Sequence, residues 1–478
     1  MKLKDLFEGQ NVSADADVKG LTADSRKVEE GFVFAALKGV ARDGREFIPM
    51  ALEKGAAAIL CDGPAETGNA ALVTAEEPRQ ALAYASAKFY PRQPKNIVAV
   101  TGTNGKSSTV DFLRQIWAHA GLKAASMGTL GAVGPNGHID LGHTTPDPVM
   151  IHETLDTLAG EGVTHAAMEA SSHGLVQYRL DGVKLAAVAF TNLTQDHLDY
   201  HADFDDYRSA KLRLFSELAP EGALAVVNAD SPETPVFEDA ARDAGLKLFS
   251  VGWRGADLKI RELSPRATGQ VMDVLYQGNA YEVHLPLIGE FQALNALTAA
   301  GLAIGLGLAP EAVFEAMATL TTVKGRLELV GEKSGGGAVF VDYAHTPDGL
   351  DVLLRAARPH TAGRLILMFG CGGGRDPYKR PMMGEIAAKH ADVVIVTDDN
   401  PRTEDAASIR SSIMTACPEA TEIADRAAAI QSGIAQLKAG DTLLIAGKGH
   451  ETGQIVGAEV LPFSDQDTAA QALESAAC

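Results

Sequence analysis

The chain lacks paired cysteines, long apolar runs and an excess of basic charge. Its four cysteines (Cys61, Cys371, Cys417 and Cys478) are scattered, with no CxxC pair. That argues against a disulfide framework or a zinc site and suits free thiols in a reducing compartment. No stretch reaches the ~18 apolar residues of a membrane span, and the N-terminal residues lack a signal peptide's apolar core. A cytoplasmic protein without a membrane span is expected. Lys and Arg number 42 against 62 Asp and Glu, so the formal charge is 42 − 62 = −20. A nucleic-acid partner would need a basic face, and this balance argues against one. Aromatics are scarce at 6% while Gly reaches 48, a pairing that points to tight turns and small-residue helix packing.

What is present is enough sequence for several cores. At roughly 100–200 residues per domain, 478 residues predict three domains. The first ~95 residues carry short apolar runs (GFVFAAL, AAAILC) and end in the linker-like FYPRQPKN. NIVAVTG, HAAMEASS, AAVAFTN and ALAVVNAD then read as buried strands alternating with helical segments. Past VKGRLELV the alternation resumes with AVFVDYAH, RLILMFG, DVVIVTDD and TLLIAGKGH, as in a second doubly wound unit. The expected class is α/β: a small N-terminal α/β domain (1–95), a central P-loop ATPase with a mostly parallel sheet (96–325), and a C-terminal Rossmann-like domain (326–478).

AVTGTNGKSST places a glycine-rich turn between a strand and a helix. Gly102 and Gly105 permit the turn and bring backbone N–H groups close to phosphate oxygens. The helix N-terminus adds partial positive charge. Lys106 can reach the β- and γ-phosphates, and Ser107 is placed for Mg²⁺. The spacing departs from GxxxxGK[ST], since position 100 is Val.

Several carboxylates and amides end other strands. Glu169 closes HAAME, where an open α/β sheet collects ligands, and a carboxylate there can hold Mg²⁺. TNLTQDHLDYH gathers Asn192, Asp196, His197, Asp199 and His201. Lys211, in the amphipathic DDYRSAKLRLF, reads by itself as a solvated surface lysine. VDYAHTPDG offers Asp342 and His345. CGGGRDPYKRP offers Arg375, Asp376, Lys379 and Arg380, and TDDNPR offers Asp398, Asp399, Asn400 and Arg402. Guanidinium forks beside carboxylates suit a zwitterionic amino acid.

In this order, TGTNGKS, MEASSHGL, FTNLTQDHLDYH, YRSAKLRLF, GRLE, DYAHTPDG and GKGHE resemble the Mur ligase family, from ADSR near residue 23 to residue 451. The resemblance implies a monomeric, ATP-dependent acid–amino-acid ligase that works through an acyl-phosphate in peptidoglycan precursor synthesis. The implied substrates are UDP-N-acetylmuramoyl-L-alanyl-D-glutamate and, from DNPR at 399–402, meso-diaminopimelate. L-Lysine as the amine, or a folylpolyglutamate synthetase-like ligase, is the alternative.

By likeness, Ala23, Ser25 and the turn Val40, Ala41, Arg42 contact the UDP part. Thr144, Thr145, Ser171, Gln177 and Arg179 hold the muramoyl-dipeptide, with His143 where relatives often carry Asn. Gly102, Thr103, Asn104, Gly105, Lys106, Ser107, Ser108, Asn295, Arg326 and Asp342 bind ATP. Ser107, Glu169, His197 and Lys211 hold Mg²⁺, the lysine as a carbamate formed by CO₂ on its neutral amine. Lys106, Glu169, His197 and Lys211 form the catalytic group, and Arg375, Asp399, Asn400, Pro401, Arg402, Gly447 and Glu451 bind the amino acid.

Overall fold

A computed structural model describes residues 1–39, 42–194 and 200–476. The chain forms two compact units, Met1–Asp257 with Thr298–Val313, and Leu258–Leu297 with Phe314–Cys478.

The first unit contains two sheets. Strands β1 (Asn11–Val12), β2 (Gly20–Thr22), β3 (Phe32–Ala35), β4 (Ala58–Cys61) and β5 (Ala71–Thr74) run in the order β1-β5-β4-β3-β2. Only β1 pairs antiparallel. All of β4 is buried because its alternating side chains serve two cores: Ala58 and Leu60 face one, Ile59 and Cys61 the other. A continuous apolar run is what a strand covered on both faces requires.

The second sheet positions the chemistry. It comprises β6 (Asn96–Thr101), β7 (Ala124–Gly128), β8 (Gly131–Gly134), β9 (Gly137–Ile139), β10 (His165–Glu169), β11 (Leu185–Phe190), β12 (Leu224–Asn228) and β13 (Lys247–Gly252). The order is β13-β12-β11-β6-β10-β7-β8-β9, parallel except for the β8 and β9 ribbon. β6 lies between β10 and β11: the chain runs from β6 to the β7 side, returns to β10 and then crosses to β11 on the opposite side. That is a topological switch point, and its crevice opens at the carboxyl ends of the strands. The helix after β6, Lys106–His119, buries Val110, Phe112, Leu113, Ile116 and Trp117, which spaces its apolar face at helical period.

In the second unit, β14 (Leu258–Arg266), β15 (Gly269–Tyr276) and β16 (Asn279–Leu285) form an antiparallel meander. The alternating-strand expectation passed over it, because its polar residues alternate with the buried ones. Further on lie β17 (Glu328–Glu332), β18 (Ala338–Asp342), β19 (Leu365–Phe369), β20 (Val393–Val396), β21 (Thr421–Glu422) and β22 (Thr442–Ala446). They order as β17-β18-β22-β19-β20-β21, parallel but for β17. A hairpin of β23 (Gly453–Val456) and β24 (Glu459–Pro462) follows. Arg426 and Asp465, both fully buried, close a bidentate pair at 2.7 Å behind this sheet. Among the described residues, no helix is long and apolar enough to cross a membrane.

Candidate active site

The loop after β6 is fixed from both neighbouring strand ends. Gly102 has φ +149°, and a Cβ there would lie 1.9 Å from Thr191 Oγ1, so only glycine fits. Thr103 N donates to Asn192 O at 2.8 Å and Asn104 N to Asn192 Oδ1 at 3.0 Å. Thr191 Oγ1 donates back to Asn104 O at 2.7 Å. Thr101 Oγ1 donates to Ala170 O at 2.8 Å on the β10 side. The loop is therefore held by the segments after β10 and β11, and its helix begins at Lys106.

Three sequence candidates meet at this loop. Glu169, 2% exposed at the end of β10, accepts from Ser107 Oγ and from Thr129 N, each at 2.8 Å. Its donors are neutral, and no lysine, arginine or histidine pairs with it among the described residues. A buried carboxylate without a counter-charge is costly and suits a cation. Lys106 Nζ donates to Gly102 O at 2.8 Å and Thr103 O at 2.7 Å.

Lys211 corrects the solvated-surface reading. It is 1% exposed, donates to Gly102 O at 2.8 Å and lies 4.5 Å from the Tyr207 ring centroid. Its helix, Phe204–Arg213, buries Tyr207, Ala210 and Lys211 together. Periodicity marked the inward face, but residue type alone assigned lysine to water. His197 lies outside the described residues, as do Asp196 and Asp199.

The dipeptide candidates cluster beside Glu169. Thr145 Oγ1 donates to Glu169 O at 2.9 Å and accepts from Ser171 N at 3.1 Å. Thr144 and Thr129 hydroxyls lie 3.0 Å apart. Arg179 Nη2 donates to Gln177 Oε1 at 2.8 Å and Nη1 to Thr145 O, while Gln177 Nε2 donates to Tyr200 OH at 3.1 Å. Burial lowers the Arg179 pKa, partly offset by Asp147, and Arg79 acts on it in the same sense as burial. Arg79 was not singled out from sequence. It donates to Lys38 O at 2.6 Å, and burial lowers its pKa against the opposing pull of Tyr200 and Glu77. Only its place beside Lys38 and Arg179 gives it away. Of the UDP candidates, Ala23 is exposed, Ser25 is buried in a 3₁₀ turn, and Arg42 pairs with Glu46 at 2.9 Å. Val40 and Ala41 lie outside the described residues.

Asn295, Arg326 and Asp342 belong to the second unit. Asn295 is buried, with Nδ2 on Gln292 Oε1 at 3.3 Å. Burial pushes the Asp342 carboxyl up, while Ala344 N, Arg326 and Leu327 N hold it down. The Arg326 guanidinium lies 4.8 Å from the Tyr343 ring centroid.

The carboxyl ends of β18, β19, β20 and β22 enclose a pocket of about 620 Å³. Arg375, Asp399, Asn400, Arg402, Gly447 and Glu451 all line it, together with His345 and Lys379. Pro401 is buried and does not line it. Arg402 is held at φ +53°, a conformation uncommon for arginine. Its backbone is pinned by Arg402 N to Ile455 O at 3.0 Å and Gly457 N to Arg402 O at 2.7 Å. Gly447, at φ +117°, leaves room for Asp399 Oδ2, which a Cβ would meet at 2.6 Å. Lys448, fully buried behind the pocket, was missed from sequence because GKGHE marked only Gly447 and Glu451.

Three family models cover the chain: "Mur ligase family, catalytic domain" at 17–91, "Mur ligase middle domain" at 100–303, and "Mur ligase, glutamate ligase domain" at 325–449. The UDP-N-acetylmuramoyl-L-alanyl-D-glutamate–2,6-diaminopimelate ligase of Caulobacter vibrioides is 52% identical over 480 residues, 99% of each chain. The chain belongs to the Mur ligase family. It is an ATP-dependent ligase of the three-domain α/β class. The Mur ligase of the same name from Rhizobium meliloti is 51% identical over 96% of this chain and 95% of its own. A solved ligase of that name superposes with TM-score 0.79 at 31% identity, covering 99% of both chains.

Proposed function

We propose that this Mur ligase joins 2,6-diaminopimelate to the D-glutamyl side-chain carboxylate of UDP-N-acetylmuramoyl-L-alanyl-D-glutamate. The observation that carries it is one pocket lined by Arg375 and Arg402 beside Asp399, Asn400 and Glu451. Two guanidiniums can take the two carboxylates of a diamino diacid, and the acids and amide can take its ammonium. The domain limits 1–95, 96–325 and 326–478 go with this reading, for the UDP part, ATP and the amino acid.

In the first step the glutamyl carboxylate oxygen attacks the γ-phosphorus of ATP in line. The bond to the β–γ bridging oxygen breaks, leaving ADP and an acyl-phosphate. The N–H groups at the start of the Lys106–His119 helix, that helix's N-terminal partial charge and Lys106 face the charge spread over the transferring group. Lys106 then exchanges the loop carbonyls of Gly102 and Thr103 for phosphate oxygens.

Mg²⁺, when bound, neutralises phosphate charge. Glu169 and Ser107 would hold it through the uncompensated buried carboxylate, and by family likeness His197, which lies outside the described residues, and a carbamate on Lys211 would complete the set. In the second step the neutral amine attacks the acyl carbon, and the tetrahedral intermediate expels phosphate with the C–O electron pair as the nitrogen loses its proton. Asp399 orients the amine, and exclusion of water protects the acyl-phosphate.

The test is phosphate release with each substrate withheld in turn, and with L-lysine in place of diaminopimelate. Release only with ATP, the UDP-dipeptide and diaminopimelate together is expected. Efficient turnover with L-lysine would overturn the choice of amine.

A further inference from the structure

The buried cation behind the amino-acid pocket has no role in the chemistry above. Lys448 is 0% exposed, and its ammonium donates to Asn400 Oδ1 and Glu451 Oε2, each at 3.1 Å. Asn400 Oδ1 also accepts from Ile455 N at 2.9 Å, and Asn400 Nδ2 donates to Glu451 Oε2 at 2.9 Å. These contacts fix the amide the right way round, since its oxygen receives two donors and its nitrogen gives to a carboxylate.

The network decides what the pocket sees. Asn400 Oδ1 is fully occupied, leaving one N–H of its amide for a ligand. Glu451 Oε2 already accepts twice, leaving Oε1 as the open acceptor on a side chain that is 35% exposed. One donor and one acceptor side by side match the ammonium and carboxylate of an amino-acid end. A fixed positive charge directly behind them offsets Glu451 and weakens its pull on a bare ammonium.

We infer that Lys448 is a positioning residue that makes this corner selective for the zwitterionic end of a diamino diacid over the bare side-chain ammonium of a monocarboxylic diamine. It acts through Asn400 and Glu451 and touches no reacting atom. The inference rests on the proposed reaction and deepens it.

The test compares wild type, Lys448→Met and Lys448→Gln, with ATP, UDP-N-acetylmuramoyl-L-alanyl-D-glutamate, diaminopimelate and L-lysine. In K448M the KM for diaminopimelate rises about tenfold, with the KM values for ATP and the UDP-dipeptide unchanged. Its kcat/KM preference for diaminopimelate over L-lysine falls about tenfold. K448Q keeps a donor toward Asn400 Oδ1 without the charge, so it recovers much of the KM and none of the preference.

An unchanged KM and preference in K448M would overturn the inference. So would an equal loss across all substrates with a lowered Tm in both variants, or failure of both to fold, since either assigns Lys448 to structure alone. A wild type that ignores diaminopimelate instead fails the reaction proposed above.

Discussion

The phosphate loop and the amino-acid pocket sit on the same kind of sheet edge and are built in opposite ways. The loop is contiguous, and its shape comes from backbone: a position where Thr191 leaves room only for glycine, and N–H groups held by Asn192. The pocket draws side chains from four loops spread between residues 343 and 451. A backbone cradle binds any nucleoside triphosphate, whereas a side-chain pocket can discriminate. On the proposed reading, the general reagent and the specific one are handled by different materials.

The comparison breaks most visibly at Lys106. Lys106→Ala should lower ADP formation by about 10³-fold, because it removes charge from the transferring group, with diaminopimelate affinity intact. Near-normal turnover in a coupled ADP assay would contradict the loop's role.

On the other side, Arg402→Ala should raise the KM for diaminopimelate by about 10–100-fold through loss of a charge-assisted fork. The KM for ATP should stay put. A parallel rise in both would mean the two regions are not separable as described.

Gly102→Ala should cost about 1–3 kcal/mol of local strain, read as weaker ATP binding by calorimetry, since Thr191 has to move. Unchanged binding would show the cradle to be softer than its contacts imply.

The smallest effect lies outside both sites. His360 accepts from Gly289 N at 2.9 Å through Nε2 and donates from Nδ1 to Arg266 O and Gly269 O, tying the meander to the rest of the second unit. Burial lowers its pKa below the ordinary 6.5, against those two backbone bonds. A depressed folded-state value gives stability that is present above 6.5 and lost as pH falls toward the folded value. Thermal unfolding of His360→Asn between pH 7.5 and 5.5 should therefore fall less than wild type, with every KM unchanged. Parallel curves would remove His360 from the pH response.

Legibility followed the same division. The loop could be read from TGTNGKS because a backbone cradle is encoded by neighbours, despite Val at position 100. Glu169 was legible as a carboxylate ending an apolar strand. Lys211 was not legible from physics, since lysine's usual place is in water, and only the family likeness placed it. Arg79 escaped because its partner lies 41 residues away in sequence, and Lys448 because a lysine three residues from Glu451 reads as a surface pair until its burial and its bond to Asn400, 48 residues away, are seen. The meander at 258–285 was missed because half its residues are polar.

The most direct measurement is inorganic phosphate released per ATP as substrates are added one at a time. ATP alone, or ATP with either partner, should give no steady turnover, and all three together should give phosphate matched by the new amide. Steady ATP hydrolysis independent of diaminopimelate would contradict a ligase whose phosphate loop and amino-acid pocket serve one reaction.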